Sequence, residues 1–321
     1  MKICIVGCGA VGSLFAAHLA HKGEAEVFAY DVSEAHVRAM QRNGLWISGE
    51  AEFTAKLTAT NDVKELPRCD FGIVATKATH TRVAMEQAKI LFDDASAVCS
   101  VQNGVGNEEI IAEQVRWVIR GTTFPAGHIV SPGHVHYDIK GDTWIGPFEP
   151  SGTPLEEVAQ LAGLLTRAGM NTIALEDARG AQWTKLIFNA GTNPVGALTG
   201  LHHGAATFFT PTGELFERLI DEGLAVAKAM GIELHNDPKA LVLKAANAPG
   251  KHKASMLQDV LTRRPTEVDF MNGAIVKHGK ELGIPTPLNQ AMVSLIKGLE
   301  QSWREEEMGT PTPPAAAKPN Q

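Results

Sequence analysis

Over the first 150 residues, short apolar runs alternate with amphipathic stretches. Residues 3–6, 27–30, 71–75 and 97–101 are continuous apolar runs closed by turn residues, the pattern of strands buried on both faces. Between them, 11–22, 33–43 and 79–92 repeat apolar positions at helical spacing. Strand, helix and strand in that order predict a parallel sheet with right-handed crossovers. From 122 to 145 the texture changes. Apolar and polar positions alternate among Gly and Pro, which predicts antiparallel strands and hairpins at the edge of that sheet.

Residues 155–168 read as a helix and 171–175 as a short strand. Beyond 176 the pattern is helical, at 178–193, 211–230, 236–247, 253–262, 266–282 and 287–306. The expected organisation is an α/β domain over 1–172 and an all-α domain over 173–308. A Pro- and Ala-rich tail at 309–321 reads as disordered.

Composition narrows the function classes. Acidic residues number 36 and basic ones 29, for a net charge of −7, and no Lys/Arg block runs along the chain. Nucleic acid and anionic membrane surfaces are therefore excluded as partners. No apolar run is long enough for a membrane span, and the N-terminus lacks the pattern of a signal peptide. Cys4, Cys8, Cys69 and Cys99 have no metal-ligand spacing and read as reduced, buried thiols of a cytoplasmic protein. His134 and His136 would share a strand face, but further ligands are not evident near them, so no metal site is expected.

Gly7, Cys8, Gly9, Ala10, Val11 and Gly12 spell G-x-G-x-x-G between the first strand and the first helix. In that position Gly7 allows the tight turn, Gly9 lets backbone approach a pyrophosphate, and Gly12 lets helix and strand pack closely. The first domain is thus read as Rossmann-type. Asp31 ends the second strand, where a carboxylate accepts the adenosine ribose hydroxyls and repels a 2′-phosphate. NAD is favoured over NADP, with NADP kept open. The competing reading of Asp31 is a helix cap, shared with Ser33. Two further loops leave strand ends, one carrying Lys77 and the other Gln102, Asn103 and Gly104.

In the second half, QWTKLIFNAGTN places Lys185, Asn189 and Asn193 four residues apart on one helix face, with Pro194 following as a stop. Either this face is solvated, or Lys185 lies in a cleft with two amides orienting a small polar ligand. Downstream, Ser255 and Asp259 lie one helical turn apart, before Glu267.

Taken in order, GCGAVG, TKA, QNGVG, KLIFNAGTNP and SMLQD…TEVDFMNG resemble the ketopantoate reductase family over about residues 1–300. The resemblance implies reduction of a 2-oxo acid to a 2-hydroxy acid by a nicotinamide cofactor, in pantothenate biosynthesis, with the substrate between the two domains. It implies Lys185 as the catalytic lysine, and Glu267 as substrate anchor or support for Lys185. Asn103, Asn189, Asn193 and Ser255 become substrate contacts. Asn103 also lies near the nicotinamide, and Lys77 is a lysine on the cofactor side. Three departures from the family pattern bear on specificity. Asp31 stands where NADP-using members are basic, and His203 and His252 stand where relatives offer amides. The oligomeric state stays open, a homodimer included. The rival readings are a related 2-hydroxyacid dehydrogenase, a β-hydroxyacid dehydrogenase-like enzyme, and a dinucleotide sensor without chemistry.

Overall fold

The computed structural model describes residues 1–247 and 253–307. His252 and the expected tail at 309–321 lie outside the described residues. The strands, in chain order, are β1 (Lys2–Val6), β2 (Glu26–Tyr30), β3 (Leu45–Gly49), β4 (Phe53–Ala55), β5 (Thr58–Thr60) and β6 (Phe71–Val74). They continue with β7 (Ala97–Ser100), β8 (Trp117–Thr123), β9 (Ala126–Ser131), β10 (His134–Ile139), β11 (Thr143–Pro147) and β12 (Thr172–Ala174). The main sheet runs β12-β11-β8-β7-β6-β1-β2-β5. The four strands from β7 to β2 pair in parallel where the pattern predicts buried runs, β8 and β5 continue that parallel pairing on either side, and β11 joins β8 antiparallel. The strand order reverses at β1, and crevices at such a switch point are where sheets of this kind bind ligands.

The first helices are α1 (Ala10–Lys22), α2 (Glu34–Asn43), α3 (Thr81–Ala88), α4 (Asn107–Ala112) and α5 (Leu155–Arg167). Helix α3 is shorter than the 79–92 expected, with 3₁₀ turns on either side.

The hairpin does not lie at the edge of the main sheet. Strands β9 and β10 join β3 and β4 in a separate sheet of order β4-β3-β10-β9, with His134 paired to Trp46 in parallel. The cause is α1. Every residue from Gly12 to Leu19 is buried, so this helix needs cover on two sides. The main sheet covers one side. The small sheet covers the other, where His18 meets Phe53 and Tyr137 edge-on.

The second half is helical: α6 (Arg179–Thr199), α7 (His203–Phe208), α8 (Thr210–Ala229), α9 (Pro238–Ala246), α10 (Ser255–Leu261), α11 (Asn272–Leu282) and α12 (Pro287–Glu307). Its core joins Trp183, Leu186, Ile187 and Ala190 of α6 to Phe216 and Ile220 of α8 and Ile275 of α11. Helix α7 is not foreseen by the pattern, and α11 begins at Asn272 rather than 266, after a 3₁₀ turn at Val268–Phe270. Nor does α6 stop at Asn193; it continues through Pro194 to Thr199. A proline there removes the N–H that would bond the Ala190 carbonyl. The buried Asn272 amide takes its place, donating to Ala190 O at 2.9 Å and to Asn289 Oδ1 at 2.9 Å.

Candidate active site

The glycine loop bridges β1 and α1. Gly7 has φ +90°, and a Cβ on it would lie 2.8 Å from the Thr76 backbone nitrogen. A Cβ on Gly12 would lie 2.0 Å from the Gly7 carbonyl oxygen, so helix and loop touch. Gly9 faces open space and caps α1 with no side-chain hydrogen bond. The first N–H groups of α1 are thereby aimed at a void, a fitting cradle for a pyrophosphate.

Asp31 is fixed beside this loop. Its Oδ2 accepts from the Cys8 amide and its Oδ1 from the Ser33 amide, each at 2.7 Å. The helix cap of α2 is Ser33, whose hydroxyl accepts from the His36 amide at 3.4 Å. Each carboxylate oxygen keeps a lone pair for a further donor. The groups around it offer little positive charge. Burial lowers the His36 pKa, and Arg38 is paired with Glu34 on the exposed face of α2.

Residues 7–11, Asp31, Lys77, Asn103, Lys185, Asn189, Asn193, Ser255 and Glu267 all line one cleft of about 2350 Å³, bounded by the sheets on one side and the helices on the other. Gly12 packs behind it. The stripe on α6 is therefore no solvated face. Asn189 and Asn193 are buried. Asn193 Nδ2 lies 3.6 Å from the Met271 sulfur, while the Asn189 side chain makes no hydrogen bond among the described residues. The Lys185 ammonium donates to the Thr123 carbonyl and lies 5.4 Å from the centre of the Phe124 ring. Burial lowers its pKa to about 8, against an opposing pull from Glu267.

Glu267 acts on Lys185 through that field rather than by contact. Its Oε1 accepts the Ala78 amide at 2.8 Å and its Oε2 the Asn103 amide group at 3.4 Å, tying it to the opposite wall. Lys77 also reaches across. Its Nζ donates to Asp259 Oδ2 at 2.6 Å and lies 3.8 Å from Glu267. Burial works against that charge, but Glu267 and Asp259 outweigh it and raise the Lys77 pKa.

Asp259 lines the same cleft, a place that its spacing from Ser255 does not reveal. A second such feature is a buried polar cluster under the cleft. Arg120 of β8 donates to Gln182 Oε1 at 2.6 Å and to Glu149 at 3.0 Å, and Gln182 donates to Glu108 at 2.7 Å. Burial pushes the Glu108 pKa up to about 7, against the pull of Arg120. None of these residues has a local spacing that would reveal the cluster, because the partners come from four separate elements.

The remaining histidines divide. His203 lines the cleft and stacks on Phe188, with centroids 5.7 Å apart. His134 and His136 both hydrogen-bond Ser48, at 2.8 and 3.1 Å, and no metal-binding group of His, Cys, Asp or Glu exists among the described residues. All four cysteines are buried free thiols.

Comparison with known proteins agrees with this geometry. Residues 3–150 match the family model described as ketopantoate reductase PanE/ApbA, and residues 177–300 match its C-terminal counterpart. The chain is 35% identical over 300 residues to the 2-dehydropantoate 2-reductase of Archaeoglobus fulgidus, covering 93% of this chain and 98% of that one. The crystal structure of a ketopantoate reductase from Ralstonia eutropha JMP134 superposes with a TM-score of 0.85 at 29% identity, covering 95% of this chain and all of that one. A D-mandelate dehydrogenase in ternary complex with NADH and anilino(oxo)acetate superposes with a TM-score of 0.86 at 26% identity and the same coverage.

Proposed function

The chain belongs to the ketopantoate reductase family, and from that premise we propose that it reduces a 2-oxo acid to a 2-hydroxy acid, ketopantoate to pantoate, with NADH as the preferred reductant. The observation that carries this reading is a part-buried lysine in the same cleft as the glycine loop, followed along its helix by two buried amides.

The nicotinamide, when bound, supplies a hydride to the ketone carbon. The protein must answer the negative charge that grows on the ketone oxygen. Lys185 is the group for this role. With its pKa lowered to about 8 it is mainly protonated at neutral pH, yet gives up its proton more readily than an exposed lysine. The Thr123 carbonyl takes one of its N–H bonds and fixes its direction, leaving two for substrate. Asn189, Asn193 and Ser255 suit the carboxylate and hydroxyl groups of the acid. Asn103, held by Glu267, stands at the end of β7 where the cofactor loop meets the substrate space. Ala78–Glu267 and Lys77–Asp259 tie the two walls together across that space.

Asp31 supports the choice of NADH. A 2′-phosphate would face its carboxylate with little positive charge beside it. The NADH complex of the related D-mandelate dehydrogenase points the same way. Four free thiols suit a reducing cytoplasm, and no helix among the described residues is long and apolar enough to cross a membrane.

Initial rates with ketopantoate, measured by loss of the reduced-nicotinamide absorbance with NADH and NADPH in parallel, test the proposal. Turnover with NADH and a higher KM for NADPH are expected, and Asp31→Ala narrows the gap. Absence of turnover with either cofactor rejects ketopantoate as the substrate. A lower KM for NADPH rejects the role given to Asp31.

A further inference from the structure

Lys185 divides the substrate space into two unlike halves. Toward the C-terminus of α6 lie Asn189 and Asn193, about 6 and 12 Å further along the helix at its ordinary rise. Toward the N-terminus the surface is aromatic. The His235 amide hydrogen-bonds the Gly180 carbonyl and the Thr184 hydroxyl, which fixes His235 beside the first turn of α6. Its ring lies 5.2 Å from Trp144, and Trp144 meets Phe124 edge-on at 5.5 Å. Phe124 is the ring that lies 5.4 Å from the Lys185 ammonium. All three rings line the cleft. Helical side chains lean toward the N-terminus, so the ammonium itself is tipped toward this side.

A 2-oxo acid whose ketone oxygen bonds Lys185 has two arms. The carboxylate arm belongs with the amides, which can donate to it. The other arm then falls on the rings of Phe124, Trp144 and His235. In an edge-on pair one ring keeps both faces open and the other keeps one, and a flat aromatic group gains most by packing on an open face. Resting on the reading of the cleft as a 2-oxo acid reductase site, we infer that Phe124, Trp144 and His235 form an aryl subsite, and that the enzyme reduces 2-oxo acids carrying an aromatic group next to the ketone.

The test compares kcat/KM for phenylglyoxylate, ketopantoate and pyruvate with NADH, in the full chain and in Trp144→Leu and Trp144→Phe. Phenylglyoxylate is expected to exceed pyruvate by about tenfold or more. Trp144→Leu lowers the ratio of phenylglyoxylate to pyruvate kcat/KM by about tenfold, and Trp144→Phe restores most of it. A merely structural role for Trp144 would lower all substrates together and leave the ratio unchanged, which overturns the subsite. Reduction of ketopantoate and pyruvate without phenylglyoxylate also overturns it while the reductase reading stands. Failure to reduce any of the three removes the reductase reading and the subsite with it.

Discussion

Lys185 has a lowered pKa because it is buried, and that makes its chemistry measurable. Its ordinary value is 10.5, and burial brings it to about 8. The ammonium form is therefore complete at lower pH and is lost as pH rises through about 8. The rate of 2-oxo acid reduction is expected to be level below that point and to fall above it, in a pH profile of kcat/KM. Glu267→Gln removes the carboxylate that holds the value up, so the inflection moves to lower pH. Lys185→Ala is expected to lower kcat by about 10²–10⁴ while cofactor affinity, read by calorimetry, stays near wild type. A kcat within a few-fold of wild type would return Lys185 to a structural role. The stripe of Lys185, Asn189 and Asn193 was legible because a repeat of four keeps residues on one helix face whatever they pack against. From its local pattern Asp259 was legible only as an acid, and Glu267 took its role from the family resemblance alone. Their pairing with Lys77 and Ala78 joins positions 182 and 189 residues apart, and no local pattern encodes that.

Helix α6 holds the stripe in line only because it does not break at Pro194. The Asn272 amide that satisfies the Ala190 carbonyl is fully buried, so its removal leaves that carbonyl without a donor. Asn272→Ala is expected to cost about 1–3 kcal/mol in urea unfolding. In a Pro194→Ala background the restored N–H bonds the same carbonyl, and the cost of Asn272→Ala shrinks by about 1 kcal/mol. Additive losses in the double variant would show that Asn272 serves α6 by packing alone. The same compensation explains why the sequence pattern places the helix end too early. A proline is a local signal, whereas the asparagine that neutralises it lies 78 positions further on. The strands β1, β2, β6 and β7 had no such competitor, being apolar runs bounded by turns. Strand β3 alternates buried with exposed residues at its start, β4 and β5 have only three residues each, and a turn-rich segment hides them.

Across the whole molecule, the Glu108–Gln182–Arg120 cluster joins the sheet domain to the first turn of α6. Burial raises the Glu108 pKa from 4.5 to about 7, so the folded state holds a proton that the unfolded chain releases. The stability this group contributes is fully present below about pH 4.5 and is lost as pH rises through about 7. Glu108→Gln keeps the acceptor for Gln182 and removes the titration. The variant is expected to gain thermal stability relative to wild type at pH 8 more than at pH 6. Parallel Tm curves across that range would show that Glu108 keeps one protonation state. At this scale the sequence revealed the order of the two halves and the cofactor loop. It did not reveal the small sheet, whose strands pair across the intervening chain.

That small sheet also sets a timetable. Ser48 and His136 are 88 positions apart and face one another in the β3–β10 pairing. A ribosome adds about 5–20 residues per second, so β3 and β4 wait several seconds for their partner to be made. During that interval the edge of β3 that pairs with β10 in the finished protein is open to any other extended chain. A nascent chain stalled before residue 126 carries this open edge, and one stalled beyond residue 139, with that stretch clear of the ribosome, can close it. The stage at which this protein most needs a chaperone falls midway through its own synthesis, before the cleft has its second wall.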